Sequence, residues 1–212
     1  MKKTVVALAL AAVGFTANAA VISFNADLLL EVTDINQTLK LSQFDSSLGT
    51  LESVSVEFFG RAVSTASITN TAAQAQNFRF ISVLDLFFTG PVGEIVSIEM
   101  FNTNGFRRID SGATVDMGSI DKDASVVVES LPLDAFIGNG LVSFNCESLV
   151  SNTQTGGGGN VIVNQHTEAG CGAKVTYTYT EATPPTEVPE PGALALLGLG
   201  LLGLGALRRR SN

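Results

Sequence analysis

An antiparallel all-β sandwich is the fold class this sequence predicts for its central part, with a terminal segment of another character on each side. Three observations carry that prediction. Apolar and polar residues alternate strictly in several short runs, as at Val54-Ser55-Val56-Glu57-Phe58. Clusters of Gly, Asn, Asp and Ser separate those runs, as at Asn102-Thr103-Asn104-Gly105. Between the terminal segments, no window of about 12 residues holds a helical period.

Residues 1–19 read as an export signal. Lys2 and Lys3 form a short cationic start, 4–16 is an apolar stretch, and Ala17-Asn18-Ala19 has the small-x-small pattern of a signal peptidase site. An apolar helix of that length reaches about 20 Å, too short to cross a hydrocarbon core of about 30 Å permanently. Cleavage after Ala19 gives a mature chain beginning at Ala20.

The expected β domain covers 20–183. Its strands fall in order at 21–30, 54–58, 62–69, 78–80, 96–100, 125–131, 141–150, 161–167 and 174–180. The last is the cleanest: Val175, Tyr177 and Tyr179 take one face, and Thr176, Thr178 and Thr180 the other. About nine short strands in this length suit an antiparallel sandwich, with jelly-roll and immunoglobulin-like arrangements equally admissible.

Residues 184–188 form a Pro-rich linker leading to 189–212. Prolines 184, 185, 189 and 191 hold this stretch extended and outside helix or sheet. The uncharged Leu/Gly/Ala run 193–207 follows, then Arg208, Arg209 and Arg210. As a helix the run spans roughly 23 Å, short for a bilayer but tolerable with snorkelling arginines and local thinning. The arginine cluster stays cytoplasmic by the positive-inside rule, so the β domain lies outside. The glycines at 198, 200, 203 and 205 never fall at GxxxG spacing, and no dimer face is indicated. A permanent tail anchor is the plain alternative.

Pro189-Glu190-Pro191, the short apolar span and the terminal arginines together resemble the PEP-CTERM sorting signal. That resemblance implies recognition by an exosortase, an integral-membrane transpeptidase-like enzyme of Gram-negative bacteria. It further implies transient anchoring in the inner membrane, removal of the tail, and transfer to the outer surface or an exopolysaccharide matrix. Segment 41–54, reading Leu41-Ser42-Gln43-Phe44-Asp45-Ser46-Ser47-Leu48-Gly49-Thr50-Leu51-Glu52-Ser53-Val54, is similar to the opening signature of choice-of-anchor E domains. Phe136-Ile137-Gly138 and the Val-Thr-Tyr-Thr-Tyr ending at Tyr179 look like that family's closing features. The family brings no assigned activity. In physical terms, Phe44 and Leu48 read as a bulky pair pinning an extended segment before a turn at Gly49.

Charge narrows the partners. The whole chain carries −8, but five of its twelve cations lie in the two terminal signals while all twenty carboxylates lie between Asp27 and Glu190. Seven cations against twenty carboxylates leave the exported chain near −13, which argues against nucleic acid or anionic lipid as a partner.

Cys146 and Cys171 share the apolar parity of their strands, Cys146 with Val142 and Phe144, Cys171 with Ala173 and Val175. An oxidising compartment and that parity favour a disulfide. A long hairpin about 156–159 would set the two face to face. A strand at 161–167 between them in a meander would hold the sulfurs about two strand spacings apart, too far to join. Elsewhere the residues point away from catalysis. His166 is the one histidine and reads as a surface or satisfied edge residue. Asp121 and Asp123, with Asp116 near, make too short a match to a calcium loop and read as a solvated turn. No GxSxG, HExxH, P-loop or GxGxxG occurs, so no enzyme activity, cofactor or metal is expected. With no Trp and two Tyr, the aromatic content is largely Phe, which packs cores rather than forming sugar platforms. Phe87-Phe88 before Thr89-Gly90 reads as a buried strand end.

Overall fold

The computed structural model describes residues 19–129 and 131–182. Among these, ten strands follow one another: β1 (Ala19–Ala26), β2 (Glu31–Val32), β3 (Asn36–Ser42), β4 (Gly49–Asn70), β5 (Gln76–Thr89), β6 (Glu94–Asn102), β7 (Arg107–Ile109), β8 (Thr114–Val128), β9 (Leu141–Gly156) and β10 (Val161–Glu181). One sheet has the order β1-β10-β4-β8, with β2 also on β10; the other has β3-β9-β5-β6, with β7 also on β5. Every pairing between these strands is antiparallel. The pairs β1:β10, β3:β9, β4:β8 and β5:β6 nest inside one another and alternate between sheets. That is the order of a jelly roll, and it settles the choice against the immunoglobulin arrangement.

The strands are longer than the alternation predicts. Runs 54–58 and 62–69 are one strand of 22 residues, and 161–167 with 174–180 are another of 21. The glycines that interrupt the alternation are points of close approach, not breaks. A Cβ on Gly60 would meet the Leu86 methyl of the opposite sheet, and one on Gly172 the ring of Phe59. The expected strand 21–30 is shorter, ending at Ala26, and 125–131 is the end of β8. The short β2, β7 and the seven-residue β3 escaped the sequence pattern.

Period-two burial runs along β4 from Val54 to Asn70, placing Val54, Val56, Phe58, Ala62, Ala66 and Ile68 in the core. Phe58 meets Phe88 of β5 and Phe144 of β9, with ring centroids 4.7 and 5.1 Å away. Each such buried ring contributes on the order of 2–3 kcal/mol by area, and tilted ring pairs add to that. Tyr177 lies wholly within the core, and its hydroxyl donates to the Ser42 carbonyl at 2.8 Å. Burial pushes the Tyr177 phenol up to about 12. Phe88 is buried, as a strand end should be.

One local expectation is corrected. Phe44 and Leu48 are not a packing pair: Phe44 is in the core against Tyr177, while Leu48 is 40% exposed. Leu48 ends a short helical turn, Ser46–Leu48, whose Ser47 N–H donates to the Asp45 carboxylate at 2.8 Å. That bond holds the Asp45 carboxyl below its usual range.

Candidate functional site

The sequence-predicted site residues fall in three places. Ala17, Pro189, Glu190, Pro191, Arg208, Arg209, Arg210 and the run 193–207 lie outside the described residues. Among the described residues, no helix is long and apolar enough to cross a membrane. Ala19 and Ala20 begin β1 and pair with Thr180 and Tyr179 at the end of β10. The expected cleavage point and the start of the C-terminal segment therefore leave the same end of the same sheet.

Cys146 and Cys171 are joined by a disulfide with a Cα–Cα distance of 6.4 Å. Both expected geometries are wrong. Cys146 is on β9 of one sheet and Cys171 on β10 of the other, so the link crosses the core and neither a hairpin nor a meander relates them. The 157–159 glycine turn carries the chain from one sheet to the other. Cys171 sits where β10 lacks a strand neighbour between β1 and β2, and its N–H donates to the Gln37 side-chain carbonyl at 3.1 Å.

Asp121 and Asp123 lie within β8, paired opposite Val63 and Arg61, not in a solvated turn. The Arg61 guanidinium grips Asp121 with two bonds of 2.7 and 2.6 Å and stands 3.9 Å from Asp123. The hydrogen bond from Arg61 holds the Asp121 carboxyl below its usual range. Among the described residues, no group of three or more His, Cys, Asp and Glu side chains is placed to hold a metal ion.

The polar constellation that pattern reading missed lies on the outer face of the first sheet. His166 pairs with Thr65, Asn164 with Ser67, and Ser67 with Asp116, across β10, β4 and β8. With Thr114 these side chains line an open trough of about 460 Å³. A bulge in β8 shapes its far wall: Gly118, at φ +79°, turns back so that its N–H donates to Asp116 at 2.8 Å. Behind the trough lies a polar knot between the sheets. The Ser64 and Thr167 hydroxyls are 2.7 Å apart, and the Gln165 amide donates to the Ser82 hydroxyl at 3.0 Å. Ser64 and Ser82 occupy apolar-parity positions of β4 and β5, a signal legible in the sequence had those strands been traced whole.

Residues 187–210 match the PEP-CTERM protein-sorting motif. This is the signal recognised by exosortase, and it implies export and a cell-surface or extracellular location in bacteria. No curated protein matches the chain. Among solved structures, that of infectious bursal disease virus Gx strain is similar at 13% identity and TM-score 0.22, covering 93% of this chain and 55% of that one. The Gt strain of the same virus gives 11%, TM-score 0.16, 89% and 48%. The T13 viral particle of this virus gives 10%, TM-score 0.16, 89% and 47%. The chain thus spans about half the length of the solved chains it matches, and at these TM-scores the likeness carries nothing on fold or function.

Proposed function

We propose that this is a non-enzymatic surface or exopolysaccharide-matrix protein of a Gram-negative bacterium, delivered in three steps. Signal peptidase cuts after Ala19. The apolar run 193–207 then holds the chain transiently in the inner membrane, and exosortase removes the tail at the sorting signal. The observation that carries the reading is the sorting motif at 187–210, directly behind a domain whose last strand ends at Glu181. Prolines 184, 185, 189 and 191 lack the backbone donors that helix and sheet need, which suits this stretch to recognition by a membrane enzyme. The similarity of 41–54 to choice-of-anchor E domains supports the same placement, since such domains occur with various surface-attachment signals.

Intact-mass spectrometry of the chain from its host, with and without the exosortase gene, tests this. A shortened C-terminus only in the strain with the enzyme is expected. A full-length C-terminus in both reduces the tail to an ordinary anchor.

A second reading is favoured by the trough at Thr65, Ser67, Asn164 and His166: a carbohydrate- or cation-dependent adhesion module of the matrix. Hydroxyl, amide and imidazole groups on a rigid sheet suit a polyhydroxylated ligand. It predicts retention on purified exopolysaccharide that is lost in Asn164→Ala/His166→Ala, with an EDTA arm deciding whether a cation takes part.

A further inference from the structure

Among the bare strand edges of the described residues is one stretch of an inner strand, β10. On the side of β10 away from β4, β1 covers Ala173 to Thr180 and β2 covers Glu168 and Ala169. Thr33 takes the Thr167 carbonyl at 3.1 Å. Beyond that point, no strand among the described residues pairs with this side of residues 161–166.

Which backbone groups point there follows from two bonds. The Thr167 carbonyl and the Cys171 N–H both reach toward the β1/β2 side, so odd-numbered residues of β10 present their N–H and C=O on that side. The bond from the Ser64 hydroxyl to the His166 carbonyl agrees, placing the even residues toward β4. Val161, Val163 and Gln165 thus turn their donors and acceptors outward, and no other backbone or side chain among the described residues takes them. A bare ladder of this kind is a template for another strand.

Charge guards some of the other edges but not all: β1 (Ala19–Ala26) and the side of β9 residues 149–156 away from β5 carry none. β8 carries Asp121, Lys122 and Asp123, and the Lys122 ammonium closes onto the Glu99 carbonyl of β6 at 2.7 Å. β3 carries Lys40. From Val161 to Thr167 there is no charge and no proline, although the exported chain is near −13. Ile162, on the outward face of this edge, is 50% exposed.

We propose that this edge pairs with the same edge of a second copy of the chain, antiparallel and centred on Val163. Val163 then faces its counterpart, Val161 faces Gln165, and Ile162 lies beside Asn164. All three outward-facing residues of each copy exchange their ladder bonds, and no like charges are opposed. Two copies of so acidic a molecule repel elsewhere, so a neutral edge is where they approach most readily. The chain's own tail is a poor occupant. Its prolines at 184, 185, 189 and 191 lack ladder donors.

Sedimentation of the chain from residue 20 to 182, which contains all ten strands but for the first residue of β1, tests the proposal. The expected result is a monomer–dimer equilibrium whose dimer fraction rises with protein concentration and with NaCl, as salt screens the acidic repulsion. Val163→Pro removes an outward N–H and spares the bonds to β4. Asn164→Glu adds a carboxylate beside the centre in each copy. Each should raise the concentration needed for half-dimerisation at least tenfold, with circular dichroism verifying the fold; if the proline variant fails to fold, Asn164→Glu alone decides. A monomer at every concentration, a dimer that salt dissociates, or a dimer indifferent to the folded variants would each overturn the assignment.

Discussion

Cys146 and Cys171 are bonded across the two sheets, tying β9 to β10 at the centre of the core with their Cα atoms 6.4 Å apart. Their sequence separation is 25, so the closed loop is worth about 3.5 kcal/mol by chain entropy. The double variant Cys146→Ala/Cys171→Ala should lose roughly that much unfolding free energy in urea titrations. Reduction of the wild-type chain should give a loss of similar size.

Tyr177 supplies a pH signature. Its phenol titrates near 10 in an unfolded chain and is pushed up to about 12 by burial. The folded pKa is the higher one, so the native state holds its proton more tightly. That contribution is fully present below about pH 10 and is lost as pH rises toward 12. Urea midpoints of wild type should therefore fall more steeply across this window than those of Tyr177→Phe. At neutral pH the variant should be about 1 kcal/mol less stable, because the Ser42 carbonyl loses its donor.

Gly60 is a contact point between the sheets. Gly60→Ala drives a methyl into the Leu86 side chain and should cost about 1–3 kcal/mol. Shortening the partner in Gly60→Ala/Leu86→Val should return part of that loss, a coupling readable in a double-mutant cycle. Strict additivity would mean that the two residues do not touch.

Arg61 already occupies Asp121, and Asp123 is nearby. Calcium at millimolar levels, or EDTA, should therefore leave the thermal midpoint unchanged. A rise with calcium that Asp121→Asn abolishes would show the pair to be a cation site and contradict this reading.

Much of the fold was legible residue by residue, and the failures have a shared cause. The apolar parity of Val175 and Tyr177 is the parity of the core, as it is for Val142, Phe144 and Cys146. Gly60, Gly170 and Gly172 broke the pattern because glycine's propensity signals a turn. In this fold those residues let Leu86, Leu28 and Phe59 lie against the backbone, a tertiary cause that local sequence does not contain. The disulfide geometry failed for a topological reason. Consecutive strands β9 and β10 go to opposite sheets, whereas spacing along the chain suggested neighbours in one. The trough was hidden likewise, since Thr65, Asp116 and Asn164 meet only through pairings between distant strands.

The central claim is that this domain reaches the outside through its sorting tail. Fractionation of cells expressing Pro189→Ala/Glu190→Ala/Pro191→Ala beside wild type tests it most directly. The account predicts wild-type domain in the extracellular or surface fraction, cut near the motif, and the variant retained uncut in the inner membrane. Equal release of both chains, or uncut wild type in the cytosol, would contradict it.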